Sequence, residues 1–466
     1  MSSSLQAIHD RFGRNVAFGL LAALDDKADV LAKVIQTISS GDARVGKVDL
    51  VRTLEGKLLY QFQVLAKSDA DMEKIRSAVS AVAGVEVQAV LDLAMEMHRG
   101  GACEMRSRMA ITSNTDLRMV YTPGVARVCK AIEAKPDLAR DFTGVANKVA
   151  IATNGTAILG LGDIGPLAGL PVMEGKSAIF WEFVKISAEP VLIDTHDADE
   201  FINVMEKLAI GFGAIQVEDV AAPECFRITR ELDKKLKIPV MHDDQHGTAT
   251  IVLAGLFSAL AKTGKKMGQL SCVMSGAGAA GTAIADLLMD EGIADVVLCD
   301  RRGALYRGRK EGMNAEKDAL AARTNKENFK GSLEEAMKGR DLFIGVSQAN
   351  IVTREMVKSM AKGPIVFALA NPVSEIPRDE ALAAGASIYA DGRMMNNALA
   401  YPGIFRGALD MRAEMISVEM VAAAARKLAE LAGPNELMPE MMDPATHTGV
   451  AAAVMAVKGK GTPLVK

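Results

Sequence analysis

The pattern G-x-G-x-x-G occurs twice in this chain, at Gly160, Gly162 and Gly165 and again at Gly276, Gly278 and Gly281. Alone the pattern says little. It gains meaning when a strand enters it and a helix leaves it, because the free N–H groups of the helix N-terminus then face a pyrophosphate. The second copy meets this condition: Leu270 to Ser275 reads as a buried strand, and Thr282 to Asp290 as a helix with Ile284, Leu287 and Leu288 on one side. The first copy is followed at once by Pro166, Gly169 and Pro171, which predicts a tight active-site loop with no helix leaving it. Gly276, Gly278, Ala279, Ala280 and Gly281 are therefore the dinucleotide-binding candidates.

From Ile251 onward the pattern is regular. Leu270 to Ser275, Val296 to Cys299, Leu342 to Val346, Ile365 to Leu369 and Ser387 to Ala390 read as buried parallel strands with helical stretches between them, the rhythm of a doubly wound α/β sheet. Val296 to Cys299 ends at Asp300, 19 residues beyond Gly281. A carboxylate there holds both ribose hydroxyls of the adenosine and repels a 2′-phosphate, so NAD is favoured. Arg301 and Arg302 keep NADP open, because a guanidinium pairs with phosphate.

The N-terminal segment follows another plan. Val16 to Leu21 reads as a strand, Val30, Leu31, Val34, Ile35 and Ile38 share a helical face, and Val48 to Thr53 and Leu58 to Val64 flank a Glu55-Gly56 hairpin turn. Met72, Ile75, Val79 and Val82 line a second helix before Val85, Val87 and Ala89 alternate again. The order β-α-β-β-α-β is the ferredoxin-like split motif. In size and position this segment resembles an ACT domain, a small regulatory module that often binds amino acids. It departs from the effector-binding pattern, since Ala23 to Asp29 lacks the Gly usual between the first strand and helix, so a purely structural pairing role stays open.

Composition narrows the remaining classes. A chain of 466 residues is long for one core and divides on these patterns into 1–94, 95–250 and 251–466, the last ending in a helical tail. A formal charge of −4 offers no basic field for nucleic acid. No apolar run reaches the roughly 18 residues of a membrane span, and His9, Asp10 and Arg11 interrupt the place of a signal peptide's apolar stretch. Five scattered cysteines without a C-x-x-C pair suit a reducing compartment, and the expectation is a cytoplasmic protein.

Two acidic pairs follow short apolar runs: Glu218-Asp219 after Ala214 to Val217, and Asp243-Asp244 after Ile238 to Met241. Carboxylates converging at strand ends repel unless a divalent cation lies between them, and oxygen-only ligands suit Mg²⁺ or Mn²⁺. His242 and His246 are spaced i, i+4, a spacing compatible with zinc, but hydrogen-bonding or packing roles are preferred.

YTPGVARVC (Tyr121 to Cys129), NGTAILGLGDIGP (Asn154 to Pro166), LPVMEGKSAIF (Leu170 to Phe180), the VED and HDDQHGTA segments, SGAGAAG (Ser275 to Gly281), ALANP (Ala368 to Pro372) and MNNALAYPG (Met395 to Gly403) together resemble bacterial-type malic enzymes, in matching order from about Met95 to the C-terminus. The resemblance implies metal-dependent oxidation of L-malate at C2 with NAD, followed by loss of CO₂ to give pyruvate. It implies Glu218, Asp219 and Asp244 as metal ligands, Lys176 as the base on the C2 hydroxyl, Asp243 as its assistant, and Tyr121 as the acid that reprotonates C3. Asn371 and Asn397 resemble amides that contact substrate and nicotinamide. It also implies a homo-oligomer, a dimer or larger.

Two residues depart from the pattern. Ala157 stands where many eukaryotic relatives carry an Arg that grips the substrate carboxylate, and Trp181 stands where a Lys is expected. A malolactic enzyme, which retains NADH and releases lactate, shares the motifs. A degenerate ACT-type sensor would have lost catalytic residues, whereas Tyr121, Lys176, Glu218, Asp219 and Asp244 are all present.

Overall fold

A computed structural model describes residues 16–40, 43–158, 160–371, 373–459 and 461–465. The chain forms two compact units, residues up to 102 together with 371–373, and the remainder.

In the first unit, β1 (Val16–Asp25), α1 (Ala28–Ser39), β2 (Arg44–Leu54), β3 (Lys57–Ala66), α2 (Asp69–Ser80) and β4 (Val85–Asp92) follow one another. The sheet order is β2-β3-β1-β4 with antiparallel neighbours, the topology that the alternating pattern predicts. Phe18, Leu20, Ala22 and Leu24 project from one face of β1 and bury against Val30, Val34 and Ile38 of α1 and Met72, Ile75 and Val79 of α2. Ser68 caps α2 by accepting the Asp71 N–H, and Gly56, at φ 73°, closes the hairpin.

The second unit begins with an arm. It carries α3 (Asn114–Val120) and α4 (Val125–Ala134), and among residues 103–148 none is buried. Next comes a parallel sheet in the order β6-β5-β7-β8, formed by β5 (Lys148–Thr153), β6 (Ser187–Leu192), β7 (Ala214–Val217) and β8 (Val240–His242). Its helices are α5 (Pro166–Val184), α6 (Ala198–Leu208) and α7 (Glu224–Lys235).

α5 corrects the expectation that no helix leaves the first glycine motif. Pro166 is at the first helical position, where a missing N–H costs nothing, and Pro171 removes only the bond to the Leu167 carbonyl, one turn further in. The glycines do build the tight loop. Gly160, Gly162 and Gly165 have positive φ, and a Cβ on Gly155 would meet the Gly165 backbone at 2.3 Å.

α8 (Thr248–Thr263) leads from this layer into a sheet of order β11-β10-β9-β12-β13-β14. Its parts are β9 (Ser271–Ser275), α9 (Ala279–Asp290), β10 (Asp295–Asp300), β11 (Gly303–Ala304), α10 (Ala315–Arg323), β12 (Leu342–Gly345), β13 (Ile365–Ala368) and β14 (Ile388–Asp391). Helices α11 (Tyr401–Asp410), α12 (Val418–Leu431) and α13 (Pro444–Met455) close the chain. The boundary expected at 250/251 falls inside α8. Ile251, Val252, Leu253 and Leu256 of that helix share one buried cluster with Val149 and Ile151 of β5 and with Cys272 and Met274 of β9, so the two sheets have a common core.

Candidate active site

Adjacent parallel strands β7 and β8 end on the two acidic pairs. Backbone geometry turns the side chains together. Asp219 takes a left-handed conformation, φ 49°, which is rare without a glycine, and its N–H donates to Asp244 Oδ2 at 3.2 Å. Beyond β8 the chain enters α8 through a π-helical turn, Asp243–Gly247, a form that recurs at functional sites. One carboxylate oxygen from each of Glu218, Asp219 and Asp244 then lies within 4.8 Å of the others. Gln216 Nε2 fixes Glu218 by donating to Oε2 at 2.7 Å.

Lys176 reaches this cluster from α5, whose buried residues Met173, Ser177 and Phe180 set the helix's rotation. Its Nζ lies 2.5 Å from Asp243 Oδ2 and 2.9 Å from Glu218 Oε1. Burial pulls the amine toward the neutral form, but Asp243 and Glu218 outweigh it and hold its pKa well above the ordinary lysine value. Burial likewise raises Glu218 well above the usual carboxylate range; Lys176 opposes this while Asp244, Asp243 and Asp219 add to it. Four crowded carboxylates around one ammonium carry excess negative charge. Oxygen donors with such a charge fit a hard divalent cation. His242 and His246 are both buried and do not belong to the three-carboxylate group, although His242 Nδ1 lies 3.8 Å from Asp244 Oδ2; burial takes His246 down to about 3.

The candidate dinucleotide site lies at the other sheet. The chain runs outward from β9 to β10 and β11 and crosses back to β12 on the opposite side of β9, which makes the crevice beyond β9 and β12 a topological switch point. Gly276, at φ 112°, would place a Cβ 2.6 Å from the Val346 carbonyl, and a Cβ on Gly281 would meet the Gly276 oxygen at 1.9 Å. These two positions admit only glycine, and they bring the start of α9, with Gly278, Ala279 and Ala280, to the mouth of the crevice. Ser275 and Ser347 hydroxyls, 2.7 Å apart, tie the two strand ends together.

Asp300 ends β10 as expected, but both its oxygens are engaged. Arg309 donates to Oδ1 at 2.6 Å and Lys317 to Oδ2 at 2.7 Å. Partial burial works to raise its pKa, yet these partners leave it below the ordinary aspartate value.

The sequence profile described as Malic enzyme, N-terminal domain, matches residues 101–233, and that described as Malic enzyme, NAD binding domain, matches residues 245–395. The chain belongs to the malic enzyme family. The bifunctional malic/malolactic enzyme of Bacillus subtilis (strain 168) is 46% identical over 370 residues, which span 78% of this chain and 90% of that one. The NAD-dependent malic enzyme of Geobacillus stearothermophilus is 42% identical over 418 residues, 87% of each chain. The crystal structure of an NAD-dependent malic enzyme from Thermotoga maritima superposes with a TM-score of 0.76 at 40% identity, covering 78% of this chain and 99% of that one.

Within this malic enzyme, Lys176, Glu218, Asp219, Asp243 and Asp244 come together in the second unit. Asn397 joins them, its Nδ2 donating to Thr248 Oγ1 at 3.1 Å and to the Asp243 carbonyl at 3.4 Å. Asn371 belongs to the short segment grouped with the first unit. Tyr121 is 68% exposed on the arm. Ala157 donates its N–H to the Asp219 carbonyl at 3.0 Å. Trp181 lies exposed on α5.

Two residues escaped the sequence reading. Tyr401, inside a quoted motif, is fully buried with its ring 4.7 Å from Lys176 Nζ. Glu375 is fully buried and accepts N–H groups of Ser347 and Ala370, each at 3.0 Å, bracing the loops that leave β12 and β13. The YPG context marked Tyr401 as part of a motif; nothing local marked Glu375.

Proposed function

We propose that this malic enzyme converts L-malate to pyruvate and CO₂ while reducing NAD. The single observation that carries the reading is Lys176 held between Asp243 and Glu218 at the edge of the three-carboxylate cluster. A divalent cation bound by Glu218, Asp219 and Asp244 would supply Lewis acidity at the substrate's C2 oxygen and would offset the carboxylate charge. With that charge offset, burial favours the neutral amine, and Lys176 Nζ accepts the C2 hydroxyl proton as the C2 hydride passes to the nicotinamide. Asp243, hydrogen-bonded to the same nitrogen, holds the ammonium that forms. The C3–C4 bond then breaks, CO₂ leaves, and C3 needs a proton, the role the resemblance gives Tyr121.

Asp300 favours NAD. Its pairing with Arg309 and Lys317 also places two cations at the ribose end, so NADP is the weaker second cofactor. Regulation or assembly through the ferredoxin-like unit, with a small-molecule effector, belongs to the same proposal. No helix of the described residues is long and apolar enough to cross a membrane.

Steady-state assays with Mn²⁺, L-malate and either nucleotide test this reading; the absence of both pyruvate and reduced nucleotide sinks it. A second reading, malolactic conversion, is favoured by the bifunctional name of the 46% identical Bacillus subtilis relative. It predicts lactate without net reduction of NAD, which product analysis separates.

A further inference from the structure

Glu375 is fully buried, yet it holds the roots of two loops that reach solvent. Ser347 to Asn350, which leave β12, are exposed, and so is Asn371, which follows Ala370 beyond β13. Each loop gives one N–H to the carboxylate: Ser347 to Oε1 and Ala370 to Oε2, both at 3.0 Å. The backbone continues the clasp, with the Asn350 N–H donating to the Ser374 carbonyl at 3.1 Å and the Val352 N–H to the Glu375 carbonyl at 3.0 Å. Against the carboxylate lies Gly345, the last residue of β12, where a Cβ would stand 2.3 Å from Glu375 Cδ.

The clasp reaches the glycine turn as well. Val346 donates its N–H to the Ser275 carbonyl at 2.8 Å, and the Ser347 hydroxyl meets that of Ser275. One carboxylate thus ties together the ends of β9, β12 and β13. Burying it is costly: burial raises its pKa, and the groups that oppose this are the N–H donors of Ser347, Ala370 and Glu375 itself, with no cation among them. A purely structural contact needs no such group, because an apolar side chain fills a buried space at lower cost. Position supplies the function. Asp300 ends β10 on one side of β9, and β12 and β13 lie on the other. A dinucleotide whose adenosine ribose meets Asp300 and whose pyrophosphate meets the glycine turn must therefore extend its nicotinamide half over β12 and β13.

We infer that Glu375 is a positioning residue for the nicotinamide half of the dinucleotide: by holding the Ser347 and Ala370 amides it sets the two loops against which that half binds, without touching the ligand itself. This deepens the proposed function and rests on its reading of the crevice as an NAD site. The choice between NAD and NADP stays with the Asp300 end.

Glu375→Gln tests it, since the amide keeps the shape but offers one acceptor oxygen and turns its NH₂ toward an N–H. Equilibrium titrations of the full chain with NAD, with NADP and with 5′-AMP, which carries the adenosine end alone, give the readout. The dissociation constant for NAD should rise about tenfold or more, equivalent to ~1.4 kcal/mol, while that for AMP changes less than about twofold. The ratio of NADP to NAD affinity and the rise in melting temperature with Mn²⁺ should both stay at wild-type values. Gly345→Ala, whose Cβ displaces the carboxylate, should reproduce this pattern. Unchanged NAD affinity, or equal losses for NAD and AMP, overturns the inference. A wild type that binds no NAD sinks the reading of the crevice and the inference with it, whereas a failed malate assay leaves this binding test standing. Should both variants unfold, amide exchange of the wild type decides. Corrected for intrinsic rates, the Ser347 N–H should exchange about 100-fold more slowly than that of Gln348 in the same exposed loop, and equal rates contradict the clasp.

Discussion

The ammonium of Lys176 lies over the ring of Tyr401, 4.7 Å from its centroid, while the phenol hydroxyl is buried without a hydrogen-bond partner. The ring makes an edge-on contact with Phe180 at a centroid distance of 5.0 Å, and Phe180 in turn packs edge-on against Phe405 at 5.6 Å. Burial pushes the phenol's pKa up, so it stays protonated. Tyr401 thus forms one wall of the lysine's cage, and its hydroxyl stands ready to donate.

Tyr401→Phe removes a buried, unsatisfied hydroxyl while keeping the ring. Thermal stability is expected to hold or rise, because an orphaned polar group costs about 1–3 kcal/mol. Tyr401→Ala removes the cage as well and is expected to cost about 3–5 kcal/mol. Thermal melts of the two variants check this, and a Tyr401→Phe protein as unstable as Tyr401→Ala would refute it.

Lys176→Ala should abolish malate oxidation, and Asp243→Asn should slow it by about 100-fold or more, the usual scale of general acid–base groups. NAD binding should be unchanged in both, since the dinucleotide crevice draws on β9, α9 and β12. Equilibrium titration with NAD beside initial-rate assays separates the two effects.

Divalent metal should stabilise the fold even without substrate. The carboxylates of Glu218, Asp219 and Asp244 repel one another in the native state, so Mn²⁺ raises the melting temperature as RT ln(1 + [M]/Kd) prescribes. Glu218→Gln and Asp219→Asn should lose most of that shift. Chelation should reverse it in the wild type, and a melt insensitive to Mn²⁺ would remove the metal site.

At the ribose end, Asp300→Ser leaves Arg309 and Lys317 without their carboxylate. The ratio of kcat/KM for NADP to that for NAD should rise about tenfold or more, equivalent to ~1.4 kcal/mol. Lys317→Ala should move the ratio the other way.

Glu419 anchors the C-terminal tail by accepting the Thr462 N–H and hydroxyl, both at 2.8 Å. Slight burial opposes ionisation, but these donors lower its pKa to about 2. A depressed carboxylate stabilises above its unfolded pKa of about 4.3 and loses that contribution as pH falls toward the folded value. Protection of the amides of residues 461–465, measured against the intrinsic exchange rate at each pH, should therefore fall between about pH 4 and pH 2, and Glu419→Gln should lower it already at neutral pH.

The sequence exposed the parts that depend on local pattern. Alternation in β1 and β3, the strand–glycine–helix unit around Gly276, and the acidic pairs at the ends of β7 and β8 all announce themselves within a few residues. What stayed hidden needed either tertiary proximity or a subtler local rule. α5 was missed because two prolines read as breakers, although Pro166 occupies the one helical position that suits it. Lys317 lies 17 residues beyond Asp300 in sequence and meets it only because the chain returns through β11 to the start of α10. The arm's lack of burial was illegible for another reason: its apolar residues read as ordinary core until no core is found for them.

The most direct test is one assay on the purified protein with L-malate, NAD and Mn²⁺, following NADH by absorbance and quantifying pyruvate and lactate at the end. The account predicts NADH and pyruvate in equal amounts, abolished by Lys176→Ala. Lactate without NADH, or no turnover at all, would contradict it.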